Sequence, residues 1–405
     1  MIISYEVAII NRNRNSKEEG HLKKLVCIVL TLVMILSVAS AAMAEAKVAI
    51  LTGTVSQGEE EYRAAQAAIA KYGADKVITD TYPDSFMAEQ ETTISKLLAF
   101  AADPDVKAIV MCQAVPGAKA AFDKIREMGR DDILLIAGVP QEDPAVITAA
   151  SDLILYADEA SQGDTIMETL DKWGCEILIH YSFPRHMAME LIAARHNVLQ
   201  ANADALGIAL IERTAPDPTN EAGGGIPAAQ QFILEDVPKV MEEYAGKKIA
   251  FFSTNCAMQE PLQTAVLAAG ANAFYPQPCC ASPYHAFPAS MGLGLSQSEA
   301  MDKFDEVSML KTIAAKLAET DSVGRFSTWP MAVNMGIIAV ACEYAWGYIN
   351  GDITSRNDKD ALLAEFDKTL GGATIGNYTD ANGTVYDNYY TILLEPVDFN
   401  DYLDK

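Results

Sequence analysis

The residues with the chemistry to hold a small molecule fall in short polar clusters, each directly after an apolar run. The first is Thr52-Gly53-Thr54-Val55-Ser56-Gln57, which follows Lys47–Leu51 and precedes a helical stretch. Its glycine, hydroxyls and backbone N–H groups at a helix start suit an anionic or hydroxylated group. Ser56 or Thr54 as an N-cap explains the same residues, and both readings stay open. Gln113 follows Lys107–Cys112, and Pro140-Gln141 follows Ile133–Val139. Further on, Tyr181-Ser182-Phe183-Pro184-Arg185-His186 follows Glu176–His180. Pro184 suits a first helical turn, which sets Arg185 and His186 against the positive end of the helix dipole. Arg185 is therefore expected to neutralise something, either an anionic ligand group or an acidic neighbour. Arg195, further along that helix, is expected to be inert. Tyr181 and Phe183 either stack on a flat ligand or pack the cleft. Thr254-Asn255 is another polar run end, and Trp329 precedes a long apolar stretch.

Cysteine chemistry is less informative. Cys279-Cys280 with His285 offers three ligands at a spacing poor for zinc, so no metal is expected. A disulfide from Cys279 or Cys280 to Cys256 is the favoured alternative in an exported chain. Cys112 and Cys175 lie in apolar runs and are expected as buried thiols. Cys112 and Cys256 at two strand ends resemble the opposed thiols of aspartate/glutamate-type racemases. The Thr254-Asn255-Cys256 order departs from the Cys-Asn-Thr of those enzymes, and an oxidising compartment suits a thiol pair badly. G-x-S-x-G, H-E-x-x-H and G-x-x-x-x-G-K-[ST] are absent. The expectation is a non-catalytic chain without a cofactor.

The elements that position these clusters begin after residue 44. Lys23-Lys24, the apolar run Leu25–Val38 and Ala42-Met43-Ala44 read as a signal peptide cut before Glu45. Residues 1–21 are read as a misassigned start, because Lys17-Glu18-Glu19-Gly20 resembles a translated ribosome-binding site. The chain holds 30 basic and 55 acidic residues, a formal charge of −25. Such a surface repels nucleic acid and anionic membranes.

From Lys47 short β-branched runs alternate with helical stretches of 12–16 residues, the footprint of a parallel sheet covered on both faces. Strands are expected at Lys47–Thr52, Lys76–Asp80, Lys107–Cys112, Ile133–Ala137 and Leu153–Tyr156, then at Glu176–His180, Ile208–Ile211, Lys248–Phe252 and Ala273–Tyr275. Single helices are expected at Ser85–Phe100, Gln230–Tyr244 and Ser298–Glu319. Met331–Ile349 reads as a buried helix and residues 376–395 as a hairpin turning at Asn382-Gly383. The fold class is α/β, with two Rossmann-like lobes facing each other: 45–157, 158–328, and a segment 329–405 that recrosses the hinge to the first lobe. Connections near Tyr156–Asp158, Ala273–Gln277 and before Trp329 are expected to form that hinge.

The opening KVAILTGTVSQGEEEYRAAQAAIAKYG and the two βα series resemble type I periplasmic solute-binding proteins, in the basic-membrane-protein and sugar-binding branch. SFPRHM and CCASPYHAFPASMGLGL resemble blocks of an exported bacterial family of that fold with no assigned function. The resemblance implies a monomeric, hinged receptor outside the cytoplasmic membrane that closes on a small molecule and delivers it to an ABC permease. A sensory module that signals to a membrane receptor is the alternative. A repressor effector domain shares the fold, but a signal peptide stands where its helix-turn-helix belongs.

Overall fold

Strands that are apolar at nearly every position must be covered on both faces, and here they pair in parallel. The computed structural model describes residues 45–403, so the expected signal peptide lies outside the described residues. Residues from Lys47 onward form one compact unit. β1 (Lys47–Thr52), β2 (Val77–Thr81), β3 (Val106–Cys112), β4 (Leu134–Gly138) and β5 (Leu153–Ala157) build the first sheet. β6 (Ile177–Ser182), β7 (Ala209–Thr214), β8 (Ile249–Ser253) and β9 (Ala273–Phe274) build the second. β10 (Thr374–Thr379) and β11 (Val385–Leu393) form the C-terminal hairpin. It turns through Asp380–Thr384, with Gly383 at a φ of 82° that favours glycine. β11 runs parallel to β5, so the first sheet has seven strands in the order β10-β11-β5-β4-β3-β1-β2. The second is all parallel, in the order β7-β6-β8-β9.

Helices lie over the sheets. Val333–Asn350 carries Val333, Ile337, Val340, Ala341 and Tyr344 into the first core, where it packs beneath β1, β3 and β4. Among the described residues no helix is long and apolar enough to cross a membrane. The chain passes between the lobes after β5, again between Phe326 and Val333, and a third time after β11. Ser327 Oγ donates to Val397 O (2.7 Å) and Val397 N to Thr328 O (2.8 Å), which ties the last two crossings together.

Four expectations change. Ala273–Gln277 is not a crossing: β9 is the edge of the second sheet, and Tyr275 bridges to Phe326. The C-terminal segment does not stay in the first lobe, because Phe399 is buried in the second core. Ser298–Glu319 is two helices, Gln297–Lys303 and Glu306–Glu319, since Phe304 is extended and Asp305 caps the second by accepting from Ser308 N. The region after Ser85 becomes helical only at Gln90.

Candidate functional site

In each sheet the strand order reverses beside the first strand of its series: β2 and β3 flank β1, and β7 and β8 flank β6. Loops leaving the two inner strands at such a reversal part in opposite directions and leave a crevice at their carboxyl ends. The two crevices face one cavity of about 300 Å³, lined by both lobes. Among the residues singled out from sequence, Ser56, Gln57, Gln113, Arg185, His186, Thr254 and Asn255 line it.

Thr52, Gly53, Thr54, Tyr181, Phe183 and Trp329 do not. Thr52 is fully buried at the end of β1. A Cβ at Gly53 would meet the Tyr82 hydroxyl at 2.8 Å, so glycine serves close packing there. Thr54 precedes the helix Val55–Tyr72 without capping it; its hydroxyl goes to Asp84, as does Ser56 Oγ (2.9 Å). Tyr181 lies in the second core and donates to Asp236 (3.0 Å). Phe183 packs beneath His186, ring centroids 4.2 Å apart. Trp329 is fully buried in the first core.

On the first-lobe side the polar groups form a chain. Gln141 Nε2 donates to Gln113 Oε1 (2.9 Å), and Gln113 Nε2 to Glu61 Oε1 (3.2 Å). Asn334 Nδ2, at the start of the recrossing helix, reaches the same oxygen (2.8 Å). Glu61 is buried, so this network holds a carboxylate ready inside the cavity wall. Glu60 beside it spans the lobes, accepting from Ser282 Oγ and from Gln297 Nε2 (3.3 Å).

On the second-lobe side Arg185 is already paired. Its Nε and Nη2 donate to the two oxygens of Asp217 (2.9 and 3.3 Å), so the acidic-neighbour reading is the one observed. His186 Nδ1 lies 3.2 Å from Thr254 Oγ1, which also meets Ser182 Oγ (2.9 Å). Burial, helped by Arg185, lowers the His186 pKa to about 4, so the ring is neutral near pH 7. Asn255 caps the next turn by accepting from Ala257 N (2.9 Å). Arg195, expected to be inert, is fully buried and salt-bridged to Glu159. The racemase-like pair weighed and disfavoured in the sequence is not assembled: Cys256 lines the cavity, whereas Cys112 is fully buried in the first core.

Sequence reasoning missed the carboxylates. Glu59, Glu60, Glu61 and Glu159 all line the cavity. The acidic run after Gly58 looks like a solvated helix face, and the only signal against that was its place just after β1. The helix departs from helical angles at Gly58, which re-aims the three residues that follow.

Glu60 yields a pH prediction. Burial, reinforced by Glu61 and Glu59, raises its pKa from 4.5 to about 8, against the opposing Ser282 hydrogen bond. The folded chain therefore holds a proton that the unfolded chain has released, and stability falls as pH rises from about 4.5 to about 8. Glu60→Gln keeps the shape and removes this term. Its melting temperature should match the parent at pH 4 and exceed it at pH 8; an equal offset at both pH values contradicts the assignment. His186 acts in the opposite sense, losing stability as pH falls from about 6.5 towards 4 in both proteins alike.

Comparison with known proteins places the chain. Residues 46–327 match a family described as "Protein of unknown function (DUF3798)". The chain belongs to this family. An uncharacterized protein of Treponema pallidum (strain Nichols) is 37% identical to this DUF3798 chain over 177 residues, 42% of the chain and 80% of the relative. A crystal structure from Clostridium difficile 630, described as a candidate transcriptional regulator, superimposes with a TM-score of 0.70 at 22% identity, over 87% of this chain and 98% of that one. An ABC transporter periplasmic solute binding protein from Actinobacillus succinogenes 130z with bound D-allose superimposes with a TM-score of 0.51 at 15% identity, over 76% of this chain and 92% of that one. At these identities the likeness is one of fold. The expected α/β architecture of type I periplasmic binding proteins is thereby shown for this DUF3798 member.

Proposed function

We propose that the protein is an exported solute-binding protein that captures a small polar solute between its lobes for an ABC-type importer. The observation that carries this is the cavity of about 300 Å³ at the carboxyl ends of both sheets, with polar side chains supplied by each. In this reading solute is bound and released without chemistry. Closure follows when one solute touches both lobes, because only differential contacts shift a hinge equilibrium.

The wall narrows the class of solute. Four glutamates line the cavity, and the lining Arg185 is engaged by Asp217. Among the described lining residues Arg185 is the one arginine or lysine and Asp217 already engages it, so no unpaired guanidinium is left for an anion and the earlier anionic-ligand expectation gives way. Hydroxyl and amino groups suit the carboxamides and carboxylates instead, which supports a neutral polyol or sugar-like solute, or a small amine. The D-allose bound by the structurally similar Actinobacillus protein is one such molecule.

Export and capture can be tested on one preparation. N-terminal sequencing of secreted protein should begin at Glu45, within about two residues. Native mass spectrometry of that protein against panels of sugars, polyols, amines and organic acids should show one-to-one complexes with hydroxylated or amino compounds. Retention restricted to organic acids, or none at all, would sink the proposal.

A further inference from the structure

The cavity wall holds a group of side chains that solute capture does not use. Cys256 follows β8, and the vicinal pair Cys279-Cys280 follows β9. Parallel pairing of β8 with β9 brings the two strand ends together, so a spacing that looks poor along the chain becomes a cluster in space. All three Sγ atoms lie within 4.8 Å of one another, Cys256 to Cys280 at 2.6 Å and Cys279 to Cys280 at 3.9 Å. All three line the cavity, which supplies an entry path.

We propose that Cys256, Cys279 and Cys280 form a site for one thiophilic d10 divalent cation, of the Zn²⁺ class, on the wall of the interlobe cavity. Three thiolates around one such ion at about 2.3 Å stand about 3.8 Å apart in tetrahedral geometry. The Cys279–Cys280 separation already matches, and Cys256 and Cys280 open by about 1 Å when the ion enters. Three sulfurs leave one tetrahedral position for water or for a donor atom of the solute.

An outer-shell partner is already in place. Gln259 Nε2 donates to Cys279 Sγ (3.2 Å), the outer-shell contact that orients and tunes a metal ligand. Binding exchanges three S–H protons for the ion: M²⁺ and three thiols give the tris-thiolate complex and three protons, with no change of oxidation state. Affinity therefore falls as pH falls. By contrast, His180, His196 and Glu212 form a second cluster in which both carboxylate oxygens already bridge the two imidazoles, at 2.9 and 2.7 Å. The carboxylate of that cluster is already engaged by both rings.

The inference goes beyond solute capture and stands or falls without it, because its test uses metal alone. The full exported chain, reduced and freed of metal with every thiol titrated, is mixed with Cd²⁺ and followed by sulfur-to-metal charge-transfer absorption. One equivalent should saturate the band, and Zn²⁺ should erase it. Cys279→Ser/Cys280→Ser should weaken binding by more than roughly 100-fold, beyond the 10–100-fold of outer-shell changes. Cys175→Ser, which alters a buried thiol outside the cavity, should leave it unchanged. Melting curves report whether each variant folds, and should the double variant fail, Cys280→Ser alone carries the comparison. A reduced, folded chain that takes up no Cd²⁺, or a band that survives in a folded variant lacking these thiols, overturns the site.

Discussion

Replacing Arg195 with alanine should cost about 3–5 kcal/mol of stability, the usual penalty for removing one partner of a buried ion pair. The side chain is fully buried, salt-bridged to Glu159, donates to Gln162 Oε1 (2.8 Å) and lies 4.8 Å over the Phe252 ring. Glu159 opens the helix Glu159–Trp173 directly after the first crossing from β5, so this pair fastens the helix Glu190–Leu206 to the start of the second lobe. Arg195→Ala leaves that carboxylate unpaired in a desolvated wall. Chemical denaturation monitored by circular dichroism gives the number. Arg195→Met with Glu159→Gln should recover part of the loss, because no charge is then stranded. A loss below about 1 kcal/mol for Arg195→Ala would return the residue to the bystander expected from sequence alone.

The second large effect concerns binding. Glu61→Ala should weaken capture of a solute recovered from the cavity by about 2–5 kcal/mol, roughly 30-fold to several thousandfold. Glu61 is the acceptor on which Gln113 and Asn334 converge, so its loss removes a charged contact and releases two positioned amides. Glu61→Gln, which keeps volume and polarity, should fall between parent and alanine. Calorimetric titration separates this from folding damage when melting temperatures are recorded alongside. Affinity unchanged in Glu61→Ala would remove the carboxylate network from the binding account.

The fold was legible because burial on both faces leaves a mark in one dimension. β3, β4, β5, β6 and β8 read as near-continuous apolar runs, and each is a strand in the structure. Elements without such a mark were lost. The helix Glu159–Trp173 is mostly polar and went unseen, since only a narrow stripe with Ile166, Met167 and Leu170 is apolar. The break at Phe304–Asp305 was hidden because helical periodicity runs on through it, and only the Asp305 cap reveals a second start.

The site divides the same way. Gln113 and Thr254 were legible because a polar residue directly after a parallel strand sits where crevices form. Trp329 misled, because aromatic character cannot tell a cavity wall from a core. The glutamate wall needed the third dimension, because Gly58 turns the helix, whereas the nearness of Cys256 to Cys279-Cys280 was expected, as a disulfide, and is found with the thiols free.

The central claim is that one solute is held by both lobes at once, and hydrogen exchange tests it most directly. With saturating solute, amides around Ser56–Glu61 and Gln113–Val115 in the first lobe should gain protection together with those around Thr254–Ala257 and Cys279–Cys280 in the second. Protection confined to one lobe, or appearing only away from these loops, would contradict capture in the interlobe cavity.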